Sequence, residues 1–221
     1  MIAMLISNRK ISCALATVLT LSLSACGILP KREPIQIYAP AHIDASSHAD
    51  WPQANWSLLV AKPAASQLLD SERIGVRPAP GRVQVYQGAS WSDSAPELLQ
   101  TALVRGFQDS QKILAVSRPG AGIRGQYQLL TELRSFESVY AEAGKPQAVI
   151  EVYAQLVHTA DGQAVAARSF RETEPASGEG VPAVVDAFSR ALDRLSTQVV
   201  GWTLSNGVRH ESDGGKHSPS H

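Results

Sequence analysis

The side chains able to do chemistry in this chain are two cysteines, six histidines, four tryptophans and a scatter of carboxylates. Metal binding or acid–base catalysis needs several of them to converge. Both cysteines, Cys13 and Cys26, lie near the N-terminus, which excludes a disulfide framework or a cysteine-rich zinc site in the main body. His42, His48, His158, His210, His217 and His221 never fall at i, i+4 on a predicted helix. His158 continues the inward face of a predicted strand, and there it reads as a hydrogen-bonded structural histidine before a metal ligand. His217 and His221 belong to a polar tail and would chelate a metal only weakly. Glu132 and Glu151, on neighbouring predicted strands, point to solvent or pair with Arg134 rather than form an acid–base couple. Trp51, Trp56, Trp91 and Trp202 suit ligand stacking or, more simply, amphipathic anchoring in a core. Gly214-Gly215-Lys216 lacks the upstream glycine and the strand of a phosphate-binding loop. Gly88-Ala89-Ser90-Trp91-Ser92 fails at the fifth position of a nucleophile elbow. These residues predict no catalytic site, no metal and no cofactor.

The body that would position any site has 221 residues, 44% hydrophobic and 18% charged. That length allows one domain of ordinary size or two small ones. Such a chain buries roughly 70% of its unfolded surface, so its core needs no disulfide or metal. Twenty Lys plus Arg balance twenty Asp plus Glu, without a long basic run, so nucleic acid is not an expected partner.

Residues 1–25 read as a secretory signal peptide. Arg9 and Lys10 precede the uncharged run Ile11–Leu23, whose 13 residues fall short of the roughly 20 that span a bilayer. The alternative is a buried or membrane helix. The segment ends in Leu23-Ser24-Ala25-Cys26, which resembles the lipobox of bacterial lipoproteins. That resemblance implies acylation of the Cys26 thiol, with palmitate among the chains, and cleavage just before it. Gly27 stands where an aspartate would retain the protein at the inner membrane, so the expected destination is the periplasmic face of the outer membrane. The mature chain would carry 18 basic and 20 acidic residues, a net charge of −2. Its hold on the membrane would then come from acyl chains, at about 0.8 kcal/mol per buried methylene.

Residues 26–36 read as a lipidated tether, 37–204 as the folded domain, and 205–221 as a disordered tail, because Asn206–His221 holds one large apolar residue, Val208. Within the domain, 39–55 is expected to be irregular. Short strands are predicted over 56–61, 73–77 and 82–86, with Pro78–Gly81 as a turn. Ser94-Ala-Pro96-Glu97 has the form of a capping box opening a helix over 95–107. Strands follow over 112–117 and 127–136, where Phe136 breaks the parity of Tyr127, Leu129 and Leu133 and calls for a bulge. Ile150, Val152, Ala154 and Leu156 share one face of a strand over 149–159, and a turn at 160–163 returns the chain over 164–171. Val181, Val185, Phe188, Leu192, Leu195, Val199 and Trp202 are spaced alternately four and three apart. That spacing suits a coiled-coil seam or a helix packed across a sheet, and its shortness favours the sheet. The expected fold is α+β, a mainly antiparallel sheet with two principal helices packed on one face.

Several stretches of this pattern resemble the ABC-type transport auxiliary lipoproteins, the PqiC-like family. They are Leu69-Asp70…Arg73-Ile74, Tyr86-Gln-Gly-Ala89-Ser-Trp91 before the Pro-started helix, Tyr127-Gln-Leu129, Glu132-Leu-Arg-Ser-Phe136, Arg168-Ser-Phe170 and Ala187-Phe188…Leu195…Trp202. They run in the same order over roughly residues 37–203. The resemblance implies a non-catalytic, lipid-anchored component of a transporter built from a permease, an ATPase and a periplasmic MCE-domain protein, moving lipids or other hydrophobic molecules. An open sheet edge would offer a route to a homo-oligomer or to partner pairing. The competing class is a structural envelope lipoprotein assisting another outer-membrane or peptidoglycan machine.

Overall fold

The computed structural model describes residues 34–42, 49–140 and 144–214, which belong, from Ile35 onward, to one compact unit. The expected signal peptide, Cys26, His48 and residues 215–221 lie outside the described residues.

Alternating apolar residues build the strands. In chain order they are β1 (Gln36–Tyr38), β2 (Ala54–Val60), β3 (Ala64–Ala65), β4 (Arg73–Ala79) and β5 (Arg82–Trp91), then helix α1 (Ala95–Ser110). β6 (Ile113–Ser117), β7 (Tyr127–Tyr140), β8 (Pro146–His158) and β9 (Ala164–Pro175) follow, and helix α2 (Val181–Gly214) ends the described chain. The short strands β1 and β3 escape the sequence reading because two or three residues carry no alternation.

β7 organises the sheet. Along its whole length it pairs antiparallel with β8, which pairs antiparallel with β9. Its other edge is shared: residues 127–129 pair with β2, 132–133 with β3 and 137–139 with β4, all in parallel. β6 joins β2 in parallel, β5 joins β4 antiparallel, and β1 joins β5 in parallel. The sheet is therefore mixed, and the expectation of a mainly antiparallel one is corrected. Residue alternation records which face is buried, not the direction of the partner strand, and distant crossovers set that direction. The expected irregularity in β7 is present: its register against β8 shifts between Leu133 and Ser135, which returns Phe136 to the buried face.

That face carries the core. Trp56, Leu58, Tyr127, Leu129, Ile150, Val152, Ala154, Leu156 and Phe170 are buried beneath the helices. Phe188 of α2 stacks on Phe136, ring centroids 4.8 Å apart, and meets Trp91 edge-on at 5.2 Å. The opposite face is polar: Glu132 pairs with Arg134, Glu151 with Arg171, and Arg134 lies over the Tyr153 ring at 4.9 Å. Both carboxylates thus act as surface ion-pair partners.

Two local expectations are corrected. Ser94 stands at the N-cap of α1, but its hydroxyl makes no cap bond, so the capping box does not close. The tail is not disordered over 205–214, because α2 continues to Gly214, a helix of 34 residues. Leu204 and Gly207 are buried and Val208 packs against the core, and this contact outweighs the weak helix propensity of Ser, Asn and Gly.

Leu192 is buried where α2 meets α1. Leu192→Ala should destabilise the domain by about 2–5 kcal/mol, read as a lowered midpoint in urea with an unchanged slope.

Candidate functional site

The histidines are drawn to separate partners. His42 Nε2 lies 3.0 Å from Asp109 Oδ2, and His158 Nδ1 lies 3.2 Å from Asp161 Oδ1. His210 Nδ1 lies 2.8 Å from the Tyr127 hydroxyl, and its ring is 5.1 Å from that of His158. His158 is thus a half-buried structural histidine at the rim of the core. Among the described residues no group of three or more His, Cys, Asp or Glu is placed to hold a metal, and no helix is long and apolar enough to cross a membrane.

Tyr127, beside these histidines, and Tyr86, near the other end of β7, are poor acids. Burial pushes Tyr127 up to about 12, helped by the negative charges of Glu211 and Asp161. Burial likewise raises Tyr86 to about 12, although a hydrogen bond with Ser138 at 3.0 Å opposes the shift. Neither supplies a phenolate near neutral pH. Asp70 faces Lys62 at 3.0 Å, and this hydrogen bond holds its carboxyl below the usual range. That pair ties the end of β2 to the loop before β4, a structural role for the Leu69-Asp70 motif.

The tryptophans divide into two pairs. Trp56 and Trp91 are fully buried anchors of the core. Trp51 and Trp202 are half-buried and reach the surface on the outer side of α2.

Two features are suited to contact. Between the helices opens a cavity of about 180 Å³, floored by Leu98, Ala102, Gly106 and Leu192 and bordered by the strap 39–42. The strap is held by Ala41, whose N–H donates to Ser189 Oγ at 2.9 Å. A dry cavity of about 150 Å³ accepts benzene, so this one has room for one aromatic ring or branched aliphatic group. Sequence reading missed it; its only trace is the set of small residues Ala102, Gly106, Ser189 and Ser196 on the two helices. The sheet also ends in open strands, and Ile37 on β1 and Leu114 on β6 are 71% and 70% exposed.

Comparison with known proteins places this architecture. The crystal structure of a Xanthomonas campestris protein matches with a TM-score of 0.76 and 44% identity, covering 80% of this chain and 99% of that one. An uncharacterized protein of Bradyrhizobium diazoefficiens is 29% identical over 148 residues, 67% of this chain; the match spans only 39% of that relative's length. A hypothetical protein of Chlamydia trachomatis shares the fold at a TM-score of 0.50 with 8% identity. The model of the family described as the ABC-type transport auxiliary lipoprotein component matches residues 39–200. Its reach across strands, both helices and the core makes the chain a member of that family, an auxiliary lipoprotein component of ABC-type transport.

Proposed function

We propose that this protein is the lipid-anchored, non-catalytic auxiliary component of an MCE-type ABC system that moves lipids or other hydrophobic molecules across the bacterial envelope. It sits on the periplasmic face of the outer membrane, held through acylated Cys26. The observation that carries this reading is the family match over 39–200 together with the tetrapeptide Leu23-Ser24-Ala25-Cys26 just ahead of it. The family description supports association with a transporter, and the Cys26 thiol would supply the acyl acceptor. Residues 26–36 serve as tether and the folded domain as the contact surface for the MCE-domain protein. The inter-helix cavity and the open edges of β1 and β6 offer a socket and backbone pairing for that contact.

Cys26→Ala should leave the chain uncut, still carrying its signal peptide, or soluble. A single acyl chain binds a bilayer with a constant of only about 10⁴ M⁻¹, and the variant has none, so whatever is cut should leave the membrane fraction almost completely. Intact mass of the native membrane form should show Cys26 at the N-terminus bearing acyl chains; an unmodified Cys26 or a different start overturns the anchor. Crosslinking and co-purification of a tagged chain from solubilised envelopes should recover an MCE-domain protein. Recovery of a different envelope machine instead would favour the assembly role.

A further inference from the structure

We infer that the outer side of α2 carries a binding groove for an acidic oligosaccharide. The groove, about 430 Å³, lies within the range of about 300–1,000 Å³ typical of small-molecule sites. Its aromatic surface comes from Trp51 and Trp202, and its charge from Arg168 on β9 and Arg209 on α2.

The position of the tryptophans is built into the backbone. A β-carbon on Gly201 would stand 2.7 Å from Trp51 Nε1 and 3.0 Å from Cε2, so only glycine lets that indole lie against the helix. Trp202 is fixed from behind by Phe170, edge to face at 5.6 Å. Asn206, which lines the groove, donates from Nδ2 to the Trp202 carbonyl at 2.7 Å. The aromatic surfaces are thus preorganised rather than mobile.

Charge selects the sign of the ligand. Among the described residues neither Arg168 nor Arg209 makes an ion pair, whereas Arg77, Arg134, Arg171, Arg190 and Arg194 do; Arg168 lies over the Phe170 ring, at 4.9 Å. Among the described lining residues two guanidiniums stand against the single carboxylate of Asp50, while the Glu172 carboxylate beside them accepts a hydrogen bond from Gln198. A guanidinium fork matches a carboxylate bidentately.

Composition decides between a sugar and a lipid. Among the described residues no Leu, Ile, Val or Met lines the groove. An acyl chain would need aliphatic walls. The C–H face of a pyranose ring packs on indole instead, and its hydroxyls suit planar polar groups such as Asn206 and Gln198. A carboxylate-bearing glycan satisfies the aromatic, the polar and the cationic parts together.

Trp56 and Trp91 are fully buried, so a ligand-dependent change in tryptophan fluorescence of the purified full-length chain reports Trp51 and Trp202. Titration with tetra-uronate oligomers and with muropeptides should produce saturable quenching by at least one of them, and the comparison identifies the source. Neutral chitotetraose should bind about tenfold more weakly or less, as expected from losing a charged hydrogen bond. Arg168→Gln with Arg209→Gln should lose binding by about tenfold or more at an unchanged melting temperature, since both side chains are exposed. Three results overturn the inference: no quenching by either acidic glycan, native affinity in the double variant, or quenching by phosphatidylglycerol vesicles alone.

Discussion

Trp56→Ala should destabilise the domain by about 3–5 kcal/mol, the cost of emptying a fully buried aromatic site. Its ring lies 4.7 Å from that of Tyr127 and fills the space where Gly207 has no side chain. A β-carbon on Gly207 would stand 2.3 Å from Trp56 Cζ2, well inside contact distance. Gly207→Ala alone should therefore destabilise by about 1–3 kcal/mol through overpacking. That cost outweighs the gain of up to about 1 kcal/mol that alanine brings to a helix interior. The informative experiment is the double variant. Once Trp56 is alanine the clash is gone, so adding Gly207→Ala should be neutral or stabilising, a change of sign. Urea unfolding of the four proteins, followed by circular dichroism, checks this. An equal penalty in both backgrounds would show that Trp56 does not press on the helix.

Removing 206–221 gives the second large effect, opposite to what composition predicts. A disordered tail would be dispensable. The structure instead has Gly207 closing over Trp56, Val208 packed on the core, and His210 hydrogen-bonded to buried Tyr127. Ending the chain at Ser205 uncovers both rings and should lower the melting temperature by about 5–15 °C, given 2–4 °C per kcal/mol at this domain size. Ending it at Gly214 keeps every one of these contacts and serves as the control. If the two truncations melt together, the last turns of α2 contribute nothing to the core.

The difference between the two readings of this segment shows what local pattern can carry. Ser205, Asn206 and Gly207 look like a helix stop, because glycine and short polar residues are poor helix formers. Gly207 is there because α2 passes against the Trp56 indole, a reason that lies some 150 residues away in the chain. The same holds at Gly201 and Trp51.

Other features were legible because their cause is local. The burial of Ile150, Val152, Ala154 and Leu156 follows from period-two alternation, and the bulge in β7 from one break in that parity. The inward face of α2 follows from Val185, Phe188, Leu192, Leu195 and Val199 at helical spacing. Family membership was legible too, since motifs in a fixed order record the whole fold without stating it.

By itself, then, the sequence determined the α+β class, the buried faces of β7 and β8, the two helices and the family, all properties of neighbouring residues along the chain. Only the tertiary structure decided strand direction, the length of α2, the cavity between the helices and the groove beside Trp202. Each of these depends on residues far apart in the chain meeting in space, and local alternation or composition carries no record of such a meeting.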